Sequence, residues 1–199
     1  FLGSAARAAC TEVVTLAPQG GEPCGPPKIV TVADVVDPNV SNDTSVEWQT
    51  VSLVPYAGGL ALAWSMWVGD GDIDEPLVST VNLALLDEHG ALRAGPRELF
   101  RAETEGIAVV LASSGDTLAV VYGGEAGFQT SILEVFLVSG ETERTVTVAT
   151  VATVEWSVSP VRAVFAADEL IILTTNAFAV TASRVAADGT ILMQPTPIL

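Results

Sequence analysis

Gly90, Gly140 and Gly189 stand 50 and 49 residues apart, each in a tight turn between two apolar runs. The three segments read STVNLALLDEHGALRAGPREL (residues 79–99), TSILEVFLVSGETERTVTV and AVTASRVAADGTILMQPTPIL. A glycine turn between β-branched or alternating runs predicts an antiparallel hairpin, because glycine reaches positive φ without the Cβ penalty other residues carry. The same hairpin returning at a constant interval of about fifty residues predicts a repeat array, in which each unit buries its apolar surface against the next.

The stretches between the hairpins follow one plan. Residues 53–55, a turn at Gly58-Gly59, residues 60–68 and an acidic loop at 69–76 lead into the first hairpin. Residues 107–112, a turn at Ser114-Gly115-Asp116, residues 117–122 and a loop at Gly123-Gly124 lead into the second. Residues 161–165, a turn at Ala167-Asp168-Glu169, residues 170–174 and a loop at Asn176 lead into the third. Upstream, residues 12–16, 29–33 and 45–51 are β-type runs, separated by a Gly- and Pro-rich segment and by a polar loop opening at Asp37-Pro38-Asn39. They read as a diverged N-terminal copy. Residues 96–103, which overlap the second run of the first hairpin, also fit a short helix locally, since Pro96 suits a first helical turn and acids lie near its N-terminal end.

Four short strands per repeat predict an all-β chain of four-stranded antiparallel sheets, with about three clear repeats and the diverged one before them. On period and strand count the chain resembles β-propeller repeats over about 150 residues. Residues 60–68 and 170–173 read as continuous apolar runs, as strands covered on both faces do, whereas residues 143–148 alternate as a strand with a wet edge does. The sequence lacks the signatures of WD40, kelch or hemopexin blades, so the resemblance implies no functional residue. A β-trefoil and a two-sheet β-sandwich are the competing architectures, and the chain also fits as part of a larger propeller. The expected division is an N-terminal processed segment at residues 1–28 and one all-β repeat domain at residues 29–199.

With 24 acidic residues against 8 basic ones, only one of them lysine (Lys28), the formal charge is −16. Such a surface repels nucleic acid and anionic membranes, and suits cations, basic partners or solubility in an extracellular setting. Every apolar run is broken by Gly, Pro or an acid well short of the ~18 residues that cross a bilayer as a helix. Residues 1–10 resemble the end of a secretory signal, with Ala6-Arg7-Ala8 as an A-x-A site. Ala8-Ala9 before Cys10 also resembles a lipoprotein box, although Arg7 stands where that box has an aliphatic residue. Together with a start at Phe1, these features lead us to expect a processed, exported chain, secreted or held at the cell surface or in the periplasm. Cys10 and Cys24 are the two cysteines. A disulfide between them closes a loop of about 15 residues, which stabilises by roughly 3 kcal/mol in the chain-entropy model.

The sharpest chemical feature is Gly69-Asp70-Gly71-Asp72-Ile73-Asp74-Glu75. Carboxylates at alternate positions of an irregular segment converge on one hard cation, so Asp70, Asp72, Asp74 and Glu75 are candidate Ca²⁺ ligands. The spacing resembles the D-x-D-x-D opening of Ca²⁺ loops, without their glycine at the sixth position or their twelfth-position Glu. The competing reading is a solvated acidic loop that discourages edge pairing. His89, the single histidine, reads as a turn residue, since no nucleophile motif accompanies it. Trp48, Trp64, Trp67, Trp156, Tyr56 and Tyr122 are packing residues or, where exposed, stacking surfaces for sugars or proteins. Trp64 and Trp67 have opposite parity in one strand, so at least one belongs to the core. Asn39 and Asn42 fit the N-glycosylation acceptor pattern. We expect a non-catalytic extracellular binding or scaffold module with a protein or glycan partner, as an oligomer or part of a longer chain, and no cofactor beyond Ca²⁺. The alternatives are a carbohydrate-active enzyme domain and a Ca²⁺-stabilised lectin-like module.

Overall fold

A computed structural model describes residues 45–69, 78–103, 106–125, 130–152, 159–175 and 179–198. The chain divides into two compact units, Phe1–Thr31 and Val32–Leu199. The first unit, with Cys10, Cys24 and the expected boundary at residue 28, lies outside the described residues.

The described residues form three meanders. The first sheet holds β1 (Ser45–Tyr56), β2 (Gly59–Gly69), β3 (Val78–Leu86) and β4 (Leu92–Glu103). The second holds β5 (Ile107–Ser114), β6 (Thr117–Glu125), β7 (Thr130–Ser139) and β8 (Thr142–Ala152). The third holds β9 (Ser159–Ala166), β10 (Glu169–Thr175), β11 (Val180–Ala186) and β12 (Ile191–Pro197). Each strand pairs antiparallel with its sequence neighbour, and no strand of one sheet joins the ladder of another. A trefoil barrel needs pairing between units and a sandwich has two sheets, so neither matches the arrangement of the described residues. Among the described residues there is no helix, and hence none long and apolar enough to cross a membrane.

Local chemistry sets the turns. Asp87 accepts from Gly90 N–H at 3.0 Å and donates to the Ala91 carbonyl at 2.8 Å, and Ala186 does the same with Gly189 and Thr190, both at 2.8 Å. Gly90 and Gly189 take φ of 77° and 86°, so these two corners are equivalent. Gly140 occupies a tighter two-residue turn with Glu141, joining β7 directly to β8.

Three expectations are corrected. Residues 96–103 are not helical but belong to β4, an edge strand, where proline costs no ladder bond. The bulged register around Leu83 and Leu85 places Gly95 (φ 93°) where a Cβ would lie 2.7 Å from the Leu83 carbonyl oxygen. Gly123 and Gly124 are not a loop but the buried end of β6, because a side chain at Gly124 would overlap the Gly106 carbonyl. Residues 45–51 are not a strand of the diverged copy. They are the first part of β1 and pair with β2, with a register irregularity at Trp48/Thr50, and the rest of that copy lies outside the described residues.

Packing follows from register. Counted from their turns, Leu60, Leu62 and Trp64 of β2 correspond to Leu118, Val120 and Tyr122 of β6 and to Leu170, Ile172 and Thr174 of β10. The intervening positions are Ala61 and Ala63, Ala119 and Val121, and Ile171 and Leu173. Leu118, Val120 and Tyr122 pack with Ala61 and Ala63 in one core. Leu170 and Ile172 pack with Ala119 and Val121 in the other. Larger side chains on one sheet thus meet alanines, and at one position a valine, on the sheet before it, and the second sheet is buried on both faces. Between sheets the first strands run side by side, β1 along β5 and β5 along β9.

Ala119→Leu forces methylenes into the second core, and we expect it to lower unfolding free energy by about 1–3 kcal/mol. Leu118→Ala, which leaves a cavity in the first core, should cost about 2–5 kcal/mol in the same urea titration. A cost below about half a kcal/mol for either contradicts the packing.

Candidate functional site

The two ends of the sheets differ in chemistry. At one end lie the tight turns, including Ala57-Gly58, Gly115-Asp116, Gly140-Glu141 and Ala167-Asp168. At the other lie the connections β2–β3, β6–β7 and β10–β11 and the links between sheets. Buried polar side chains gather toward this second end: Ser65, Ser79, Thr80 and Asn82 in the first sheet, Ser131 in the second, Thr174, Thr181 and Ser183 in the third. Toward the turns the buried side chains Leu86, Leu118, Leu137, Leu170 and Val185 are apolar.

Register aligns the polar groups into a belt. Trp64 pairs with Asn82 and Asn82 with Glu98 across the first sheet. At the matching level Tyr122 pairs with Glu134 and Glu134 with Thr147. In the third sheet Thr174 pairs with Thr181. Within the belt Asn82 Nδ2 donates to Thr80 Oγ1 at 3.0 Å, Thr147 Oγ1 donates to Glu134 Oε1 at 2.9 Å, and the hydroxyls of Thr174 and Thr181 share a 2.5 Å hydrogen bond. Tyr122 is the best buried large side chain of the belt, with Phe100 of β4 tilted against its ring at 5.4 Å between centroids. Burial pushes its phenol well above the ordinary tyrosine range, and the charge of Glu134 and its hydrogen bond to that carboxylate push in the same direction.

Hydroxyls also tie the first sheet to the second. Val109 and Leu111 turn their backbone N–H groups toward β1, where Thr50 Oγ1 accepts at 2.8 Å and Ser52 Oγ at 3.0 Å. Ser113 Oγ donates to the Pro55 carbonyl at 2.6 Å. Two N–H groups on the free edge of β5 are thereby satisfied without a fifth strand. Tyr56 closes the turn end of this seam, its hydroxyl donating to the Asp116 carbonyl at 3.4 Å. Burial raises its pKa and the Asp116 charge adds to that, against a smaller opposing effect of Arg93. On the outer strands Arg97 donates to both carboxylate oxygens of Glu143, at 2.8 and 2.7 Å, and lies 5.1 Å above the Phe136 ring.

The sequence-derived candidates separate. Asp70, Asp72, Asp74 and Glu75 belong to the β2–β3 connection at the loop end but lie outside the described residues, as do Trp156, Asn39 and Asn42 and the side chain of Trp48. His89 is a turn residue: its N–H donates to Asp87 Oδ1 at 2.9 Å and its ring stands 3.5 Å from Glu88, both side chains about three-quarters exposed. It sits at the end opposite the belt. Trp64 is core at 3% exposure and Trp67 is half-buried on the other face. Among the described residues no three of His, Cys, Asp and Glu come together as a metal site. Sequence reasoning did not single out Asn82, Glu134, Thr147, Thr174 or Thr181. The signal for them is a polar residue at a fixed distance from the turn in each repeat, which register alone makes visible.

No family model matches this chain, and no curated protein or solved structure matches it.

The Tyr122 phenol is held protonated in the folded state, so its contribution is intact below the ordinary tyrosine value of 10.0 and is lost as pH rises above it. Melting temperature should therefore fall steeply above about pH 10, and Tyr122→Phe should flatten that fall while costing about 1 kcal/mol at neutral pH. An alkaline limb unchanged in Tyr122→Phe contradicts the assignment.

Proposed function

We propose that this chain is an exported, non-catalytic binding or scaffold module of propeller type, which engages a protein or glycan partner at its loop end. The side-by-side first strands, with sheets of four strands leading outward from them, support the propeller-type arrangement. The observation that carries the functional reading is the segregation along the strands. The turn end has an apolar interior beneath it, while the end that carries the β2–β3, β6–β7 and β10–β11 connections has a belt of hydroxyl, amide, carboxylate and phenol groups. Loops held on a rigid all-β base are where binding residues concentrate, and a polar underlayer stabilises connections rich in backbone polar groups.

A second reading rests on the position of one segment. The acidic stretch with Asp70, Asp72, Asp74 and Glu75 connects β2 to β3 at this same end, so Ca²⁺ bound there would order the proposed contact surface, as in a lectin-like module.

Binding of the labelled chain to a glycan array, with and without Ca²⁺, tests both readings. We expect binding that the double variant Asp72→Asn, Asp74→Asn weakens and that His89→Ala, at the opposite end, leaves intact. For the Ca²⁺ reading, added Ca²⁺ raises the melting temperature and EDTA reverses it; a melting temperature indifferent to both removes that reading. Hydrolysis of a bound glycan, or binding lost through His89→Ala, contradicts the main one.

A further inference from the structure

The third sheet carries a free flank whose composition departs from that of its counterparts. The positions held by Ala61 and Ala63 in the first sheet and by Ala119 and Val121 in the second are Ile171 and Leu173 here. In the first two sheets these residues, three alanines and one valine, receive the side chains of the next sheet. Two larger residues at these places take up the volume that such a neighbour needs, and overpacking a sheet interface costs about 1–3 kcal/mol. The flank is therefore not built to receive another sheet of the same pattern. It is nevertheless apolar: Val164 is 51% exposed, Ile171, Leu173 and Met193 are half-buried, and cross-strand register sets Val164, Ile171, Arg184 and Met193 in one row.

Its charge also departs from that of the chain. The formal charge of the chain is −16, yet this face holds Arg162 and Arg184 against Glu169. Arg184 donates to Glu169 at the turn end of the face. Arg162, level with Leu173 nearer the loop end, is the one described arginine that no hydrogen bond or ion pair engages. We propose that this flank pairs with the same flank of a second copy of the chain, across a two-fold axis that runs the strands of one copy antiparallel to those of the other. Pairing of this kind is self-complementary. It sets Arg162 of each copy over the Glu169 end of the other, buries Val164, Ile171, Leu173 and Met193 of both, and brings two acidic molecules together where neither carries net negative charge. Four strands about 4.8 Å apart and about 3.3 Å per residue give a contact plane of about 20 by 23 Å. That is at the small end of specific interfaces, so the dimer is concentration-dependent.

Sedimentation velocity of the full chain, from micromolar to submillimolar concentration, tests this independently of any ligand at the loop end. We expect the mass to move from one chain to two as concentration rises. Val164→Asp, a substitution at a surface position that leaves the fold intact by circular dichroism, should hold the chain monomeric, and Arg162→Glu should weaken the dimer severalfold. Leu53→Asp, at an equally exposed position on β1 (53%), should leave it unchanged. A wild-type chain that stays monomeric, a dimer that survives both Val164→Asp and Arg162→Glu, or one lost equally through Leu53→Asp overturns the proposal.

Discussion

The fold depends on a size rule at its sheet interfaces. Side chains on alternate positions of a strand point to opposite faces, so a second strand that reads large-small-large arms one face and leaves the other flat. Leu118, Val120 and Tyr122 project toward the first sheet, where Ala61 and Ala63 leave room, while on the opposite face Ala119 leaves room beside Val121 for Leu170 and Ile172 of the third. Fully burying each leucine or valine in such a seam contributes about 1.5–3 kcal/mol. The second sheet, buried on both faces, draws on both seams, and the outer two draw on one each among the described residues.

Much of this plan was legible in the sequence because turns and parity are local. The hairpins at Gly90, Gly140 and Gly189, the tight turns before them and the all-β class follow from backbone preferences that act within a few residues. The errors fall where a long-range contact overrides local preference. The run from Pro96 to Glu103 has helical features, yet ladder bonds to β3 make it a strand with a bulge at Gly95. Gly123-Gly124 reads as a loop, but there Gly124 admits a neighbouring backbone within a strand. Residues 45–51 carry strand character that says nothing about which sheet they join.

The candidate site was less legible than the fold, for a related reason. The eye is drawn to concentrated chemistry such as the acidic stretch at 70–75 or to rare residues such as His89. The polar belt is instead spread over eight strands, a residue or two at a time. Glu134 shows the point: in sequence it interrupts an apolar strand, and in the fold it accepts from Thr147 and sits beside the buried Tyr122 phenol. Such groups lower the cost of anchoring polar connections on an apolar array, and the connections rather than the belt would meet a partner.

The central claim is that the second sheet, packed large-on-small at both faces, is the part of the structure on which the others rest. Native-state hydrogen exchange tests it most directly, since amides that open only with the whole domain exchange last. The account predicts the slowest exchange at Leu118 to Tyr122 in β6, at the rate set by global unfolding, with β10 and β11 opening earlier. Protection of β6 equal to or below that of the third sheet, or three sheets that open independently, would contradict it.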